Sequence, residues 1–325
     1  MNKDQLKYPI KFTPILKEKI WGGNKLNLLF NKSAKNNIGE SWEISDVDSN
    51  ISIVDNGLLK GKSLAQLIFF FKEDLIGASV YKAFGNNFPL LFKFIDAKKD
   101  LSVQLHPNDK LAKERHNSFG KAEMWYVLDT DEDAKLILGF NTLIDQNVYQ
   151  KHLSENTLSE ILQYEKIKKG DSFFIETGTV HAIGAGVVLA EIQQTSDITY
   201  RIFDYNRPGL DGKLRELHTD LAIDAINFEN IQAKLEYKDE INIPVNLCKS
   251  KYFHTNKLSI SNLIKRDLSL IDSFVVYMCL EGDGEIIANN YSEIFTKGDT
   301  LLIPAIIKNI KIKTQSAIFL EVYIP

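Results

Sequence analysis

The chain contains only two cysteines, Cys248 and Cys279, in 325 residues. They lie far apart in apolar surroundings, which argues against both a disulfide framework and a thiolate zinc site. Any metal must therefore be held by histidine, carboxylate or amide groups. No run of about 18 apolar residues occurs, so no membrane helix is expected, and the opening MNKDQLKYPIKFTP lacks the apolar stretch of a secretory signal. The expected location is the cytoplasm. Positive charge is not in excess either. Lys and Arg number 39 against 43 Asp and Glu, a net charge of −4, which argues against nucleic acid as a partner while leaving room for a local cationic pocket for a small anion.

What is abundant is the short apolar or alternating run broken by Gly, Asn and Asp. SWEIS at 41–45, FPLLFKFI at 88–95, LSVQLH at 101–106, EMWYVL at 123–128, KLILGF at 135–140 and SFFIE at 172–176 read as strands of an antiparallel sandwich or barrel. Helices are fewer. Ser63 and Gln66 have capping-box spacing before LIFFFKEDLI, with Gly77 placed to end that helix. Thr157 and Glu160 repeat the signal for a shorter turn, and residues 215–226 have helical apolar spacing. The segment KGDSFFIE beginning at Lys169 reappears as KGDTLLIP beginning at Lys297, each a tight turn feeding a buried strand. The first copy continues to His181 and the second has no histidine, so the first could bind something the second has lost. The expected architecture is mainly β, an antiparallel sandwich-like or barrel-like scaffold with a few short covering helices, divided near residues 235–245 where the second β unit begins.

Three elements carry candidate chemistry. Strand alternation in LSVQLH places Ser102, Gln104 and His106 on one face, opposite Leu101, Val103 and Leu105, with Pro107 ending the strand so that His106 stands at a rim. The same pattern also suits a solvent-facing strand. Glu123 opens an apolar strand and is either exposed at its start or turned inward and in need of a cation. Gly170, Glu176, Gly178 and His181 have the spacing of the second cupin motif, with Glu176 in place of its usual proline. Together Gln104, His106, Glu123 and His181 form an N/O set suited to Zn²⁺, or to Mn²⁺ or Fe²⁺. Gln104 stands where cupins usually have a first histidine, and an amide oxygen there favours Lewis-acid work over redox chemistry.

The sequence resembles the type I mannose-6-phosphate isomerases in their short bacterial form. The carriers are Trp21-Gly-Gly23, Gly39-Glu-Ser-Trp-Glu-Ile-Ser45, Phe92-Lys-Phe94, the run from Leu101 to Asp109, Lys121-Ala-Glu-Met-Trp-Tyr126, Gly178-Thr-Val-His-Ala-Ile183, the run from Asp197 to Tyr205, and Leu214-Arg-Glu-Leu-His218. The resemblance implies two cupin-like jelly-roll or β-sandwich domains, 1–238 a metal-binding catalytic domain and 239–325 a degenerate cupin-like domain, and one zinc ion per chain, with Gln104, His106, Glu123 and His181 as ligands. It implies Arg201 as an active-site arginine, Glu191 as a carboxylate in proton transfer, and Lys93, Ser102 and Lys121 lining a sugar-phosphate site. The implied reaction interconverts D-mannose 6-phosphate and D-fructose 6-phosphate by proton transfer through a cis-enediol, linking mannose use or GDP-mannose supply to glycolysis.

Alternation in AEIQQTSDITYR places Glu191 with Leu189 and Gln193. Arg201 could hold the enediolate, clamp the phosphate, or pair with Asp197 or Asp204. The rival reading is a non-catalytic sugar-phosphate-binding or regulatory cupin, which should have lost Arg201, Glu191 or a ligand. His116 and His152 read as solvated residues of polar helices, His218 as a packing residue, and His254 as a histidine without ligand partners. Trp21, Trp42 and Trp125 read first as buried packing. Oligomeric state is not legible.

Overall fold

The computed structural model describes residues 2–32, 35–229 and 232–325. Two antiparallel sheets form the first unit. The larger runs in the order Lys234–Leu235, Ser172–Ile175, Glu123–Thr130, Val187–Gln194, Leu90–Ala97, Ile15–Gly23, Ile38–Ile44. The smaller runs Leu162–Lys166, Lys135–Phe140, His181–Ile183, Val103–Leu105, Tyr200–Phe203. Between them lies an apolar layer drawn from both, including Trp21, Ile95, Trp125, Leu138, Phe173 and Leu189. The strands Leu90–Ala97 and Val187–Gln194 are buried at every position. That explains why they read as near-continuous apolar runs: each is covered on both faces. Their other face packs on a second core, where Phe92, Phe94, Ala190 and Ile192 meet the helical residues Leu67, Ile68 and Leu75.

The C-terminal unit is one sheet in the order Ile10–Lys11, Thr300–Ile303, Val275–Ala288, Asn309–Tyr323, His254–Asp267, Val245–Lys249, with Tyr291–Thr296 paired to Val275–Ala288. Lys234–Leu235 still pairs with Ser172–Ile175, whereas Val245–Lys249 belongs to this second sheet. The start of the chain crosses over, because Ile10 and Lys11 pair with Leu302 and Leu301. Phe253, Phe274, Val276 and Leu320 share a core with residues of the first unit, so the two units are packed face to face. No helix among the described residues is long and apolar enough to cross a membrane.

The sequence echo corresponds to one turn built twice. Gly170 has φ +92° and Gly298 φ +91°. Asp171 accepts from the Lys168 N–H at 3.1 Å, and Asp299 from the Thr296 N–H at 2.8 Å. Each glycine N–H donates to the neighbouring strand, to Val127 O at 2.9 Å and to Cys279 O at 2.8 Å.

Helix boundaries differ from the sequence expectation. The capping box at Ser63 forms, with the Gln66 N–H donating to Ser63 Oγ at 3.2 Å and the Ser63 N–H to Gln66 Oε1 at 3.0 Å. The helix then stops at Phe71, because Lys72 adopts φ +47°, and Glu73–Ile76 follows as a separate turn. A further helix, Ala78–Phe84, begins beyond Gly77, capped by Asp272 of the C-terminal unit through the N–H groups of Ala78 and Ser79. Thr157 makes no cap; its Oγ1 lies 2.8 Å from His152 Nδ1 instead. Only Thr219–Ile223 of the stretch 215–226 is helical, since Arg215 is drawn to Asp204 and His218 to Arg201. His116 is engaged rather than merely solvated, with Nε2 2.8 Å from Tyr200 Oη.

The paired turns give a graded test. A Cβ at Gly170 would meet nothing nearer than Tyr237 Oη at 3.5 Å, whereas one at Gly298 would meet Phe30 Cβ at 2.6 Å. Gly170→Ala is expected to cost about 1 kcal/mol from positive φ alone, and Gly298→Ala about 3 kcal/mol, with the steric term added. Urea denaturation of both variants checks the order.

Candidate metal centre and substrate pocket

Register places the site. Across the larger sheet Trp42, Lys93, Glu191, Trp125 and Phe173 are successive partners in one row. Because they share a row, their side chains share a face. Glu123 lies two residues from Trp125 and so projects to that same face. Across the smaller sheet the row is Leu138, His181, Gln104, Arg201. The two rows face each other across the cavity, and His106 reaches it from just beyond Val103–Leu105.

His106, Glu123 and His181 form the core of the cluster, each 1% exposed, with possible ligand atoms all within 4.8 Å of one another. Each imidazole is oriented by its backbone: His106 Nδ1 lies 2.8 Å from Ile198 O and His181 Nδ1 2.9 Å from Thr179 O. A carbonyl can only accept, so both Nδ1 atoms carry the proton and both Nε2 lone pairs point inward. His106 Nε2 is 3.2 Å and His181 Nε2 3.9 Å from the Glu123 carboxylate. Burial, reinforced by Lys121, pushes the His106 pKa down to about 3, and burial lowers that of His181, so both stay neutral as ligands must. Burial works to raise the Glu123 carboxyl, but the Lys121 charge outweighs it and holds the group well below the usual carboxylate range.

One atom tests whether these residues fit a metal. Glu123 Oε1 is buried 3.0 Å from Lys121 Nζ and 3.2 Å from His106 Nε2, yet neither contact has hydrogen-bond geometry and the oxygen has no donor. An ionised carboxylate oxygen left in that state is costly unless a cation completes it. The donor set of two imidazoles and a carboxylate suits a divalent ion. Gln104 borders the cluster: Nε2 is 3.5 Å from His181 Nε2, while Oε1 accepts from Ser102 Oγ at 3.2 Å.

Beside the cluster, Glu191 is 3% exposed. It accepts from Lys93 Nζ at 2.8 Å and from Trp125 Nε1 at 2.9 Å, and the same indole N–H also reaches Glu123 Oε2 at 3.1 Å. Burial raises its pKa, the Glu123 charge adds to that, and Lys93 opposes. Lys93 is fixed from its other side by Gln193 Oε1 at 2.5 Å. Arg201 donates through Nε to Ser102 Oγ at 3.2 Å and through Nη1 to Glu216 O at 2.9 Å. It forms no ion pair with Asp197 or Asp204. His218 does more than pack, since its N–H donates to Arg201 O at 2.7 Å and its Nδ1 accepts from the Arg201 N–H at 3.2 Å. Of the nine residues singled out from the sequence, Lys93, Ser102, Gln104, Lys121, His181, Glu191 and Arg201 line one cavity, and His106 and Glu123 lie against Lys121 and His181 in its wall. Trp21, Trp42 and Trp125 are both buried and part of its wall. Sequence reasoning missed Lys19, Glu40 and Arg215, which also line it. The alternation of Lys17, Lys19 and Trp21 was a usable signal for the first of these.

Two antiparallel β units, one of them enclosing a metal-capable His–Glu–His cluster beside a second buried carboxylate, define a cupin-type enzyme. Residues 10–151 match the family model for the phosphomannose isomerase type I catalytic domain, and residues 245–323 that for the mannose-6-phosphate isomerase cupin domain. The chain is 36% identical to mannose-6-phosphate isomerase ManA of Bacillus subtilis over 91% of its length and 93% of that protein's. It is 33% identical to mannose-6-phosphate isomerase of Streptococcus mutans over 93% and 94% respectively. The crystal structure of the mannose 6-phosphate isomerase from Bacillus subtilis superposes with a TM-score of 0.88 at 32% identity, covering 96% of this chain and 99% of that one. The chain belongs to the type I phosphomannose isomerase family and is an isomerase.

The cluster is expected to take up one divalent ion per chain. Equilibrium dialysis of metal-stripped protein against Zn²⁺ should give one equivalent bound, with a rise in Tm on loading. Glu123→Gln and His181→Ala should each lose that equivalent.

Proposed function

We propose that the chain interconverts D-mannose 6-phosphate and D-fructose 6-phosphate, with one Zn²⁺ held by Gln104, His106, Glu123 and His181. The observation that carries this reading is the buried, donorless Glu123 Oε1 set against two inward imidazole lone pairs, with Glu191 held alongside by Lys93. The names of the Bacillus and Streptococcus relatives supply mannose 6-phosphate, whose aldose–ketose partner is fructose 6-phosphate. When bound, the ion polarises the carbonyl and stabilises the oxyanion that develops, without changing redox state. For Gln104 to join the ligands its amide turns so that Oε1 faces the cluster and Nε2 donates to Ser102 Oγ.

The chain's own residues do the proton work. Glu191 takes the proton from C2 of the aldose and returns it to C1, while the hydroxyl proton of O2 is exchanged to O1, so that the cis-enediol collapses to the ketose. Its raised pKa suits a group that must both accept and donate near neutrality. Lys93 and the Trp125 N–H fix its two oxygens and limit its motion. Ser102 and Lys121 present donors to sugar oxygens, and Arg201 presents a guanidinium to the phosphate or to the enediolate. In this reading residues 1–238 carry the chemistry, and residues 239–325 brace them through the shared core.

Three outcomes are expected. Removal of metal abolishes conversion of mannose 6-phosphate and Zn²⁺ restores it; full activity in exhaustively stripped protein contradicts the reading. Glu191→Gln lowers kcat about 10²–10⁴-fold while metal content, measured by atomic emission, stays at one per chain. Because the base must be ionised and its pKa is raised, activity falls on acidification at a pH above the ordinary carboxylate value of 4.5, which a pH profile of kcat checks.

A further inference from the structure

The cavity's lysines are matched by carboxylates and its arginines are not. Each of the cavity's three lysines has its own carboxylate before any ion binds: Lys19 with Glu40 at 3.2 Å, Lys93 with Glu191 at 2.8 Å, Lys121 with Glu123 at 3.0 Å. Arg201 and Arg215 of the wall, and Arg207 beside Asp204, have one buried carboxylate among them. Asp204, 6% exposed, accepts from Arg215 Nε at 2.6 Å and Nη2 at 2.5 Å, and from Arg207 Nε at 3.1 Å and Nη2 at 3.0 Å. Arg201 has no carboxylate partner among the described residues; its bonds run to the Ser102 hydroxyl and the Glu216 carbonyl. The Glu216 carboxylate itself is 83% exposed, and Asp197, the remaining acid of the wall, is exposed and acts on Lys17. Arg201 and Arg215 both line the cavity, and burial together with the nearby Arg215 charge lowers the pKa of Arg201.

Two convergent guanidiniums with an uncompensated charge, in a cavity otherwise matched pair by pair, call for an anion. A planar fork with free N–H groups suits phosphate oxygens. We propose that Arg215, held by Asp204 and backed by Arg207, is a phosphate-binding residue that acts with Arg201 in the cavity wall. This rests on the sugar-phosphate reading of the site and deepens it. With the phosphate at the half-buried arginine end, the sugar extends inward and C1 and C2 lie at the fully buried Glu123 and Glu191. Arg201 is thereby placed at the phosphate rather than at the enediolate. The three-to-one arrangement also has a structural logic: Asp204 fixes the Arg215 fork in advance, so less side-chain freedom is lost when the anion binds.

The test uses metal-loaded, full-length protein with Arg215→Met and Arg215→Lys. Arg207 still donates to Asp204 Oδ1 in both variants, so the carboxylate keeps a charged partner, although Oδ2 loses its Arg215 donor and Tm is measured alongside. Inorganic phosphate serves as the probe in calorimetry and as an inhibitor in the assay. Arg215→Met is expected to weaken phosphate binding about 10–100-fold and to raise KM for mannose 6-phosphate by a similar factor, with kcat changing much less. Arg215→Lys, which keeps the charge but not the fork, should recover part of the loss. Unchanged phosphate affinity and KM in Arg215→Met would overturn the proposal, as would a loss confined to kcat, or a fall in Tm that the lysine variant shares without recovering phosphate binding. If the wild type fails to isomerise mannose 6-phosphate yet binds phosphate in an Arg215-dependent way, the reading of the reaction fails and the anion site stands.

Discussion

Everything in the cavity answers to one buried carboxylate. Glu123 is ionised and 1% exposed, and an isolated charge in that position costs several kcal/mol even after the surroundings relax. Lys121 and the Trp125 N–H offset part of that cost, and with two imidazole lone pairs also turned inward they still leave Oε1 without a donor. The Trp125 N–H links Glu123 to Glu191, so the group that would bind a metal and the group that would move a proton are held by one rigid indole. A site organised in this way is fixed before substrate arrives, which is the condition for electrostatic stabilisation to be effective.

The C-terminal unit shows what the same framework becomes without that requirement. Tyr277 pairs with Leu301, Glu321 and, across Glu321, Asn256, repeating the row of Trp125, Phe173, Glu191 and Lys93. Glu321 occupies the place of Glu191 and is fully buried, but it is saturated: Tyr277 Oη donates at 2.6 Å, Asn256 Nδ2 at 3.0 Å and Arg266 through two nitrogens at 2.9 Å. Val275 stands opposite Ile303 as Glu123 stands opposite Ile175. With no carboxylate in the metal position and no unmet acceptor in this row, the second unit keeps the packing and the turn while the chemistry is closed off internally.

Much of this was legible in the sequence because it depends on local periodicity. Alternation alone put Ser102, Gln104 and His106 on one face and Glu191 with Leu189 and Gln193, and the repeated Lys-Gly-Asp turn marked equivalent positions in both units. Capping chemistry located the start of the helix at Ser63, but its end lay at Lys72, where a positive φ and the docking of Asp272 on the next helix are tertiary effects. The partners of each charge were not legible. Lys93 meets Glu191 only through the register of two strands remote in sequence, and Arg215 meets Asp204 only through the fold of a loop. Whether Arg201 was a salt-bridge residue or an open cation could not be read until Asp204 was seen to be occupied by Arg207 and Arg215. His218 looked like a packing residue for the same reason, since its two bonds to the Arg201 backbone span a chain reversal.

The most direct test of the account is a crystal structure of the active protein with anomalous diffraction measured on both sides of the zinc edge. The account predicts a single anomalous peak per chain bonded to Glu123 Oε1 and to the Nε2 atoms of His106 and His181, with Gln104 turned to present Oε1. Active crystals in which Glu123 keeps only Lys121 and the indole as partners, with no peak between the two imidazoles, would contradict it.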